Sequence, residues 1–180
     1  KSTAELKANK RNIDAKQYFS STLKRFKDNG YFENVFITDI NGSVLFSLDS
    51  SFNTIDQVRI KEIKTAVEKD SAIIGDFYFS ETHKTIHFNV VSIIKDNSGI
   101  PIGVYFQIVD PYKSLYPIIQ SWPVSSKTAE TLLFKKENDY VVYLNDLRHK
   151  KNTAVSLKIP MSETDVVAIK VVLGARGIIE

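Results

Sequence analysis

A chain of 180 residues has room for one large domain or two small ones, and 43% hydrophobic with 25% charged residues is ordinary for a soluble globular protein. The net charge of +3, from 24 basic against 21 acidic residues scattered along the chain, is too weak to argue for nucleic acid. Cysteine is absent, which excludes disulfides and thiolate metal sites.

No apolar run approaches the ~20 residues that span a bilayer, and no signal peptide is visible. The chain opens on Lys1 and its single methionine is Met161. The expectation is therefore a processed or excised piece, with any membrane anchor or signalling partner outside it.

Residues 1–29 hold no proline or glycine, and Asn29-Gly30 supplies a stop, so one long helix with a glycine cap is predicted. Its first half is nearly all polar. Its second half carries an apolar stripe, Phe19, Leu23 and Phe26, at a spacing suited to packing on a sheet. Residues 34–49 then read as two short strands around Asn41-Gly42, a dipeptide suited to a tight hairpin turn. A helix over 56–69 follows, with Asp56 as N-cap and Ile60, Ile63, Ala66 and Val67 as its apolar positions.

The stretch from Ile73 to Tyr112 is the densest in Ile, Val, Phe and Tyr, broken only by E-T-H-K and K-D-N-S-G. Such residues fit a pleated, packed surface, so three antiparallel strands over about 74–80, 85–94 and 101–109 are predicted. With the first hairpin they make a five-stranded antiparallel sheet over residues 31–120, the long helix on one face and helix 56–69 on the other. That is an α+β plan.

Asp110-Pro111 ends the fifth strand, and a proline-interrupted connector follows that admits only short helical turns. Tyr112, Tyr116 and Trp122 are apolar enough to dock it. Two more strands are predicted over 132–145, then a helix over 162–173 with Ser162 as N-cap and Gly174 as stop.

The order of elements repeats. V-F-I-T-D-I-N-G-S-V-L-F-S-L-D matches L-L-F-K-K-E-N-D-Y-V-V-Y-L-N-D in pattern, helix 56–69 matches 162–173, and Ile73-Ile74 matches Ile178-Ile179. Two tandem modules are inferred, over 1–120 and 121–180. The second is two or three strands short, so its open edge should pair with another chain or be closed by further residues.

The runs L-Y-P-I-I-Q-S-W-P-V-S-S-K-T-A-E-T-L-L-F and V-V-Y-L-N-D-L-R-H-K-K-N-T-A-V-S-L-K-I-P resemble the extracytoplasmic sensor region of bacterial membrane receptors of the double Cache (PAS-like) type. G-D-F-Y-F-S and P-I-G-V-Y-F-Q-I-V-D-P are similar to the same group. The likeness covers most of 34–180 and is most specific over 115–160. It implies a long N-terminal helix leaving the membrane, a membrane-distal PAS-like module over 1–120 and an incomplete proximal one over 121–180. The parent it implies is a membrane-anchored sensor histidine kinase or, less often, a diguanylate cyclase. The second module departs from the family in lacking its usual further strands.

No residues carry catalytic chemistry. His83 and His87, four apart, would stand ~13 Å apart on one face of an unbroken strand, too far to share a metal. N-D-L-R-H-K-K around His149 has no nucleophile near it in sequence, and no phosphate-loop or dinucleotide glycine pattern occurs, so no cofactor is expected.

Ligand binding suits the chain better. Polar residues recur at alternate positions of the meander: Asp76, Tyr78 and Ser80, then His87 and Asn89, then Tyr105 and Gln107. If the registers align they face one side together. The expected pocket for a small molecule is lined by Tyr78, His87, Asn89, Tyr105 and Gln107, with Asp110 at its rim. Asp76 and Asp110 suit an ammonium group, Arg59 and Lys84 a carboxylate, and the sequence leaves both open. The competing reading is a ligand-free module that dimerises through its N-terminal helix.

Overall fold

The computed structural model describes residues 3–30, 32–49, 52–81, 83–121 and 130–177. Contacts divide the chain into two compact units, Lys1–Asp76 with Phe88–Asp110, and Phe77–His87 with Pro111–Glu180. Their boundaries differ from the 1–120 and 121–180 modules read along the sequence.

The first unit opens with α1, Thr3–Asp28, which ends where Gly30 N–H donates to the Lys27 carbonyl at 2.8 Å. Arg25 and Lys27 in its last turn complement the negative end of the helix dipole. β1 (Asn34–Thr38) and β2 (Val44–Ser47) form the first hairpin, and α2 (Gln57–Lys69) follows. Asp56 caps α2 as expected, its Oδ1 accepting from Arg59 N–H at 2.9 Å. The chain continues through β3 (Ile73–Ile74), β4 (Tyr78–Ser80), β5 (Thr85–Lys95) and β6 (Pro101–Val109). All pairings are antiparallel, along the path β2-β1-β6-β5-β3.

All five expected strand positions are occupied, but the third is interrupted. Residues 74–80 split into β3 and β4 around Gly75, whose N–H donates to the Asn89 carbonyl at 2.8 Å. A Cβ on Gly75 would collide with the Glu62 carboxylate, so a larger residue here would have to push that side chain aside.

Both faces of the sheet are covered. On one, Ile63 and Ala66 of α2 pack on Phe36, Val91, Val104, Phe106 and Ile108, all buried, with Phe36 stacked on Phe106 at 4.5 Å between ring centroids. On the other, Leu23 of α1 joins Phe32 and Val35, with Phe46, Leu48 and Tyr105 beside them. Phe19 reaches Phe46 at 5.4 Å, so Phe19 and Leu23 of the predicted stripe hold the second half of α1 to the sheet, while Phe26 is 42% exposed.

The two long hairpins are closed by one device used twice. Asp39 Oδ1 accepts from the N–H groups of Asn41 (2.9 Å) and Ser43 (2.8 Å), while Asp39 N–H donates to the Ser43 carbonyl. Asp96 repeats this with Ser98 and Ile100, and Gly42 and Gly99 take the positive φ each loop requires. The first is thus a five-residue loop and not the tight two-residue turn that Asn-Gly suggests. An extra residue follows each loop, Leu45 in β2 and Ile102 in β6, where the register shifts by one.

The second unit contains β4 and residues 85–87 of β5, then α3 (Tyr116–Ser121), β7 (Phe134–Glu137), β8 (Tyr140–Tyr143), β9 (Lys158–Pro160) and α4 (Val167–Val172). β7-β8-β9 is an antiparallel sheet, and its hairpin turns at Asn138, one of the residue types that tolerate φ > 0. Val141, Tyr143, Ala168 and Ile169 form its core. The sequence missed β9. It also began the last helix five residues early, because Ser162, Glu163 and Thr164 are spent in successive turns and the helical ladder starts only at Val166. Tyr116 is buried and its hydroxyl donates to the Leu144 carbonyl, while Tyr112 meets its ring edge-on at 4.8 Å. Trp122 and Ile178-Ile179, assigned from sequence to the docked connector and the repeat, lie outside the described residues.

Candidate functional site

Four residues of α2 turn inward, Arg59, Glu62, Ile63 and Ala66, and two of them are charged. The Arg59 guanidinium is held by Asp56 (Nη1 to Oδ2, 2.7 Å) and lies over the Phe52 ring at 5.2 Å. Glu62 Oε2 accepts from Asn89 Nδ2 at 2.8 Å, the amide reaching up from β5. Glu62 Oε1 is buried and has no hydrogen-bond partner among the described residues. Burial raises the Glu62 carboxyl above the usual carboxylate range, with Asp56 and Asp76 adding to the effect and Asn89 and Arg59 opposing it. A desolvated carboxylate, an amide and a guanidinium thus share the α2 face of the first unit. Oppositely charged groups in such a place can grip a small molecule bearing both signs.

The six residues singled out from sequence are distributed as follows. Asn89 lies opposite Ile108 and so faces α2. Tyr105 and Gln107 lie opposite Ser92 and Val90, on the face toward α1, where burial raises the Tyr105 hydroxyl. The expected convergence of Asn89 with Tyr105 and Gln107 therefore does not occur. Its cause is the bulge after the 96–100 loop. The Lys95–Pro101 pairing, continued without interruption, would set Asn89 opposite Gln107, and Ile102 shifts every later pair by one. Asp110 follows β6 and is buried.

Tyr78 and His87, in the second unit, are cross-strand partners with ring centroids 6.0 Å apart, and His87 is buried. His83 is not ~13 Å away, as a continuous strand would place it. It lies in the turn before β5, its N–H bonded to Ser80 Oγ, and its ring comes to 5.1 Å from that of His87. Among the described residues no three His, Cys, Asp or Glu side chains gather closely enough to hold a metal ion.

Sequence reading passed over Glu62. Its signal was present: positions 59, 62, 63 and 66 share one helical face, and two of them are charged in a stripe that must be buried.

The fold is an α+β arrangement compatible with PAS-like modules. No protein-family model matches the chain, and no curated protein matches it. Among solved structures it is similar to an extracellular ligand-binding receptor from Desulfohalobium retbaense, at 18% identity and a TM-score of 0.56, over 84% of this chain. The chain spans about a quarter of that receptor, 26% of its length. It also aligns with the ligand-binding domain of Mlp24 with asparagine, at 11% identity and a TM-score of 0.42, over 82% of this chain and 81% of that one. No helix among the described residues is long and apolar enough to cross a membrane.

Proposed function

We propose that the chain is an extracytoplasmic ligand-sensing domain of a bacterial transmembrane receptor of the double Cache type, with a sensor histidine kinase as the parent protein. In this reading residues 1–120 serve as the membrane-distal module and 121–180 as part of the proximal one. The observation that carries it is the buried Glu62 carboxylate, whose Oε1 has no hydrogen-bond partner among the described residues, on the same helix face as the Arg59 guanidinium. The shared fold with an extracellular ligand-binding receptor supports the same class.

The ligand that fits is a small zwitterion such as an amino acid, its ammonium on Glu62 and its carboxylate on Arg59. Of the sequence-derived set, Asn89 holds Glu62 in place. A ligand preferring one placement of α1 or α2 on the sheet would bias that placement, which is all that signalling requires.

A ligand-free module pairing through α1 is the second reading, favoured by Tyr18, which is 76% exposed on that helix. The test is a melting-temperature screen against the common amino acids and short carboxylic acids, with His87→Ala, Asn89→Ala and Glu62→Gln beside the wild type. Ligand binding raises the melting temperature by mass action, and Asn89→Ala and Glu62→Gln should lose the response. Indifference to every compound, with melting that depends on protein concentration, would establish the dimerisation reading instead.

A further inference from the structure

The second unit contains a cleft of ≈ 750 Å³, within the range of small-molecule sites. One wall is the β4–β5 pairing, where Phe79 stands directly opposite Ile86. Tyr112 and Ala154 also line it. Phe79 and Tyr112 remain 48% and 41% exposed, so large apolar rings line open space here and are not sealed in the core.

The charged lining is unequal. Asp146 is committed internally: its Oδ1 accepts from Thr153 N–H (2.7 Å) and Ala154 N–H (3.1 Å), and its Oδ2 from the Tyr112 hydroxyl (3.2 Å). These bonds fix the 146–156 loop against Tyr112. What is left to meet a ligand is cationic. Lys151 has no ion pair among the described residues, and Lys84 has only an exposed partner, Glu81, of a kind worth little in water.

The backbone adds an independent sign. Five non-glycine residues among those described have positive φ, and three of them, Lys84, Asn152 and Val155, line this cleft. For β-branched Val155 at φ 52° this conformation is disfavoured, and such strain concentrates at binding sites, where the surroundings hold it.

We infer that the second unit binds a small organic monocarboxylate with an apolar body, the carboxylate between Lys84 and Lys151 and the body against Phe79, Ile86 and Tyr112. This site is separate from the Glu62 cluster and takes a different ligand class.

The test is calorimetric titration of the whole chain with octanoate and 3-phenylpropionate, against their uncharged amides and inorganic phosphate. Saturable binding below about 1 mM is expected for the acids, and roughly tenfold weaker binding for the amides, since a charge-assisted hydrogen bond is worth that factor or more. Lys84→Met with Lys151→Met should weaken the acids by a similar factor. Ser156→Trp, at an exposed lining position, should block them by filling the cleft. Glu62→Gln should bind both acids as the wild type does, whatever its response to amino acids. The inference is overturned by no saturable binding of either acid, by equal binding of acid and amide, or by unchanged affinity in the double lysine variant. Phosphate binding as tightly as the acids would also overturn it, marking a site for simple anions.

Discussion

Replacing Asn89 by alanine removes the donor to Glu62 Oε2, and the structure fixes what that should cost. The bond is 2.8 Å long, both residues are buried, and the second carboxylate oxygen already lacks a partner among the described residues. Hydrogen bonds to charged groups contribute about 1.5–3 kcal/mol net. For a chain of this size that corresponds to a fall of roughly 3–12 °C in melting temperature. The informative assay is a double-mutant cycle: urea unfolding of the wild type, Asn89→Ala, Glu62→Ala and the double variant at neutral pH. Asn89→Ala should cost far less once the carboxylate is gone, giving a coupling of about 1.5–3 kcal/mol between positions 89 and 62. A coupling below about 0.5 kcal/mol, the scatter of independent sites, would refute the claim that Asn89 is retained to hold a buried charge.

Gly75→Ala should destabilise by about 1–3 kcal/mol through overpacking against the Glu62 carboxylate, and combining it with Glu62→Ala should recover part of the loss; equal stability of Gly75→Ala and wild type would refute the close approach. Because the folded Glu62 carboxyl is raised above its reference of 4.5, its contribution is fully present below that pH and is lost as pH rises through the folded value, so the advantage of Glu62→Gln over wild type should grow above pH 4.5 and then level off in melting curves. Glu137 has the opposite sign. Hydrogen bonds from Lys158 and then Lys135 hold it at about 2, so its contribution is present above 4.5 and is lost as pH falls toward 2. That carboxylate is exposed enough for water to screen it, so Glu137→Gln should change acid stability by less than about 1 kcal/mol, measured by unfolding at pH 2 to 5.

Composition and period were enough to read the elements of the first unit. Dense runs of Ile, Val, Phe and Tyr marked the strands, and Asp56 and Gly30 marked helix ends, because these are local effects. Register was not local. Whether Asn89 faces Gln107 or Ile108 depends on one bulged residue, Ile102, and period-two patterning is indifferent to it. A sharper reading was available in the repeat of D-I-N-G-S and D-N-S-G-I, since the same loop brings the same bulge in both hairpins. β9 escaped because Lys158, Ile159 and Pro160 alternate too briefly to register as a strand, and proline usually argues against one. The 162–173 helix was drawn too long for a related reason: serine, threonine and acidic residues favour a cap and a turn alike.

The pairing of β1 with β6 joins segments some 70 residues apart, whereas the β1–β2 and β5–β6 hairpins close across five-residue loops. Both hairpins can therefore form early, and the chain then waits for one long-range docking. During synthesis at about 5–20 residues per second, β1 stands for roughly 4–14 seconds before β6 exists to cover its open edge. Val35, Phe36 and Ile37 are presented to the surroundings for that interval. Pulse-labelling hydrogen exchange during refolding should find amides of the two hairpin loops protected first and those between β1 and β6 last. The vulnerable moment of this protein is set by a partner strand encoded far downstream.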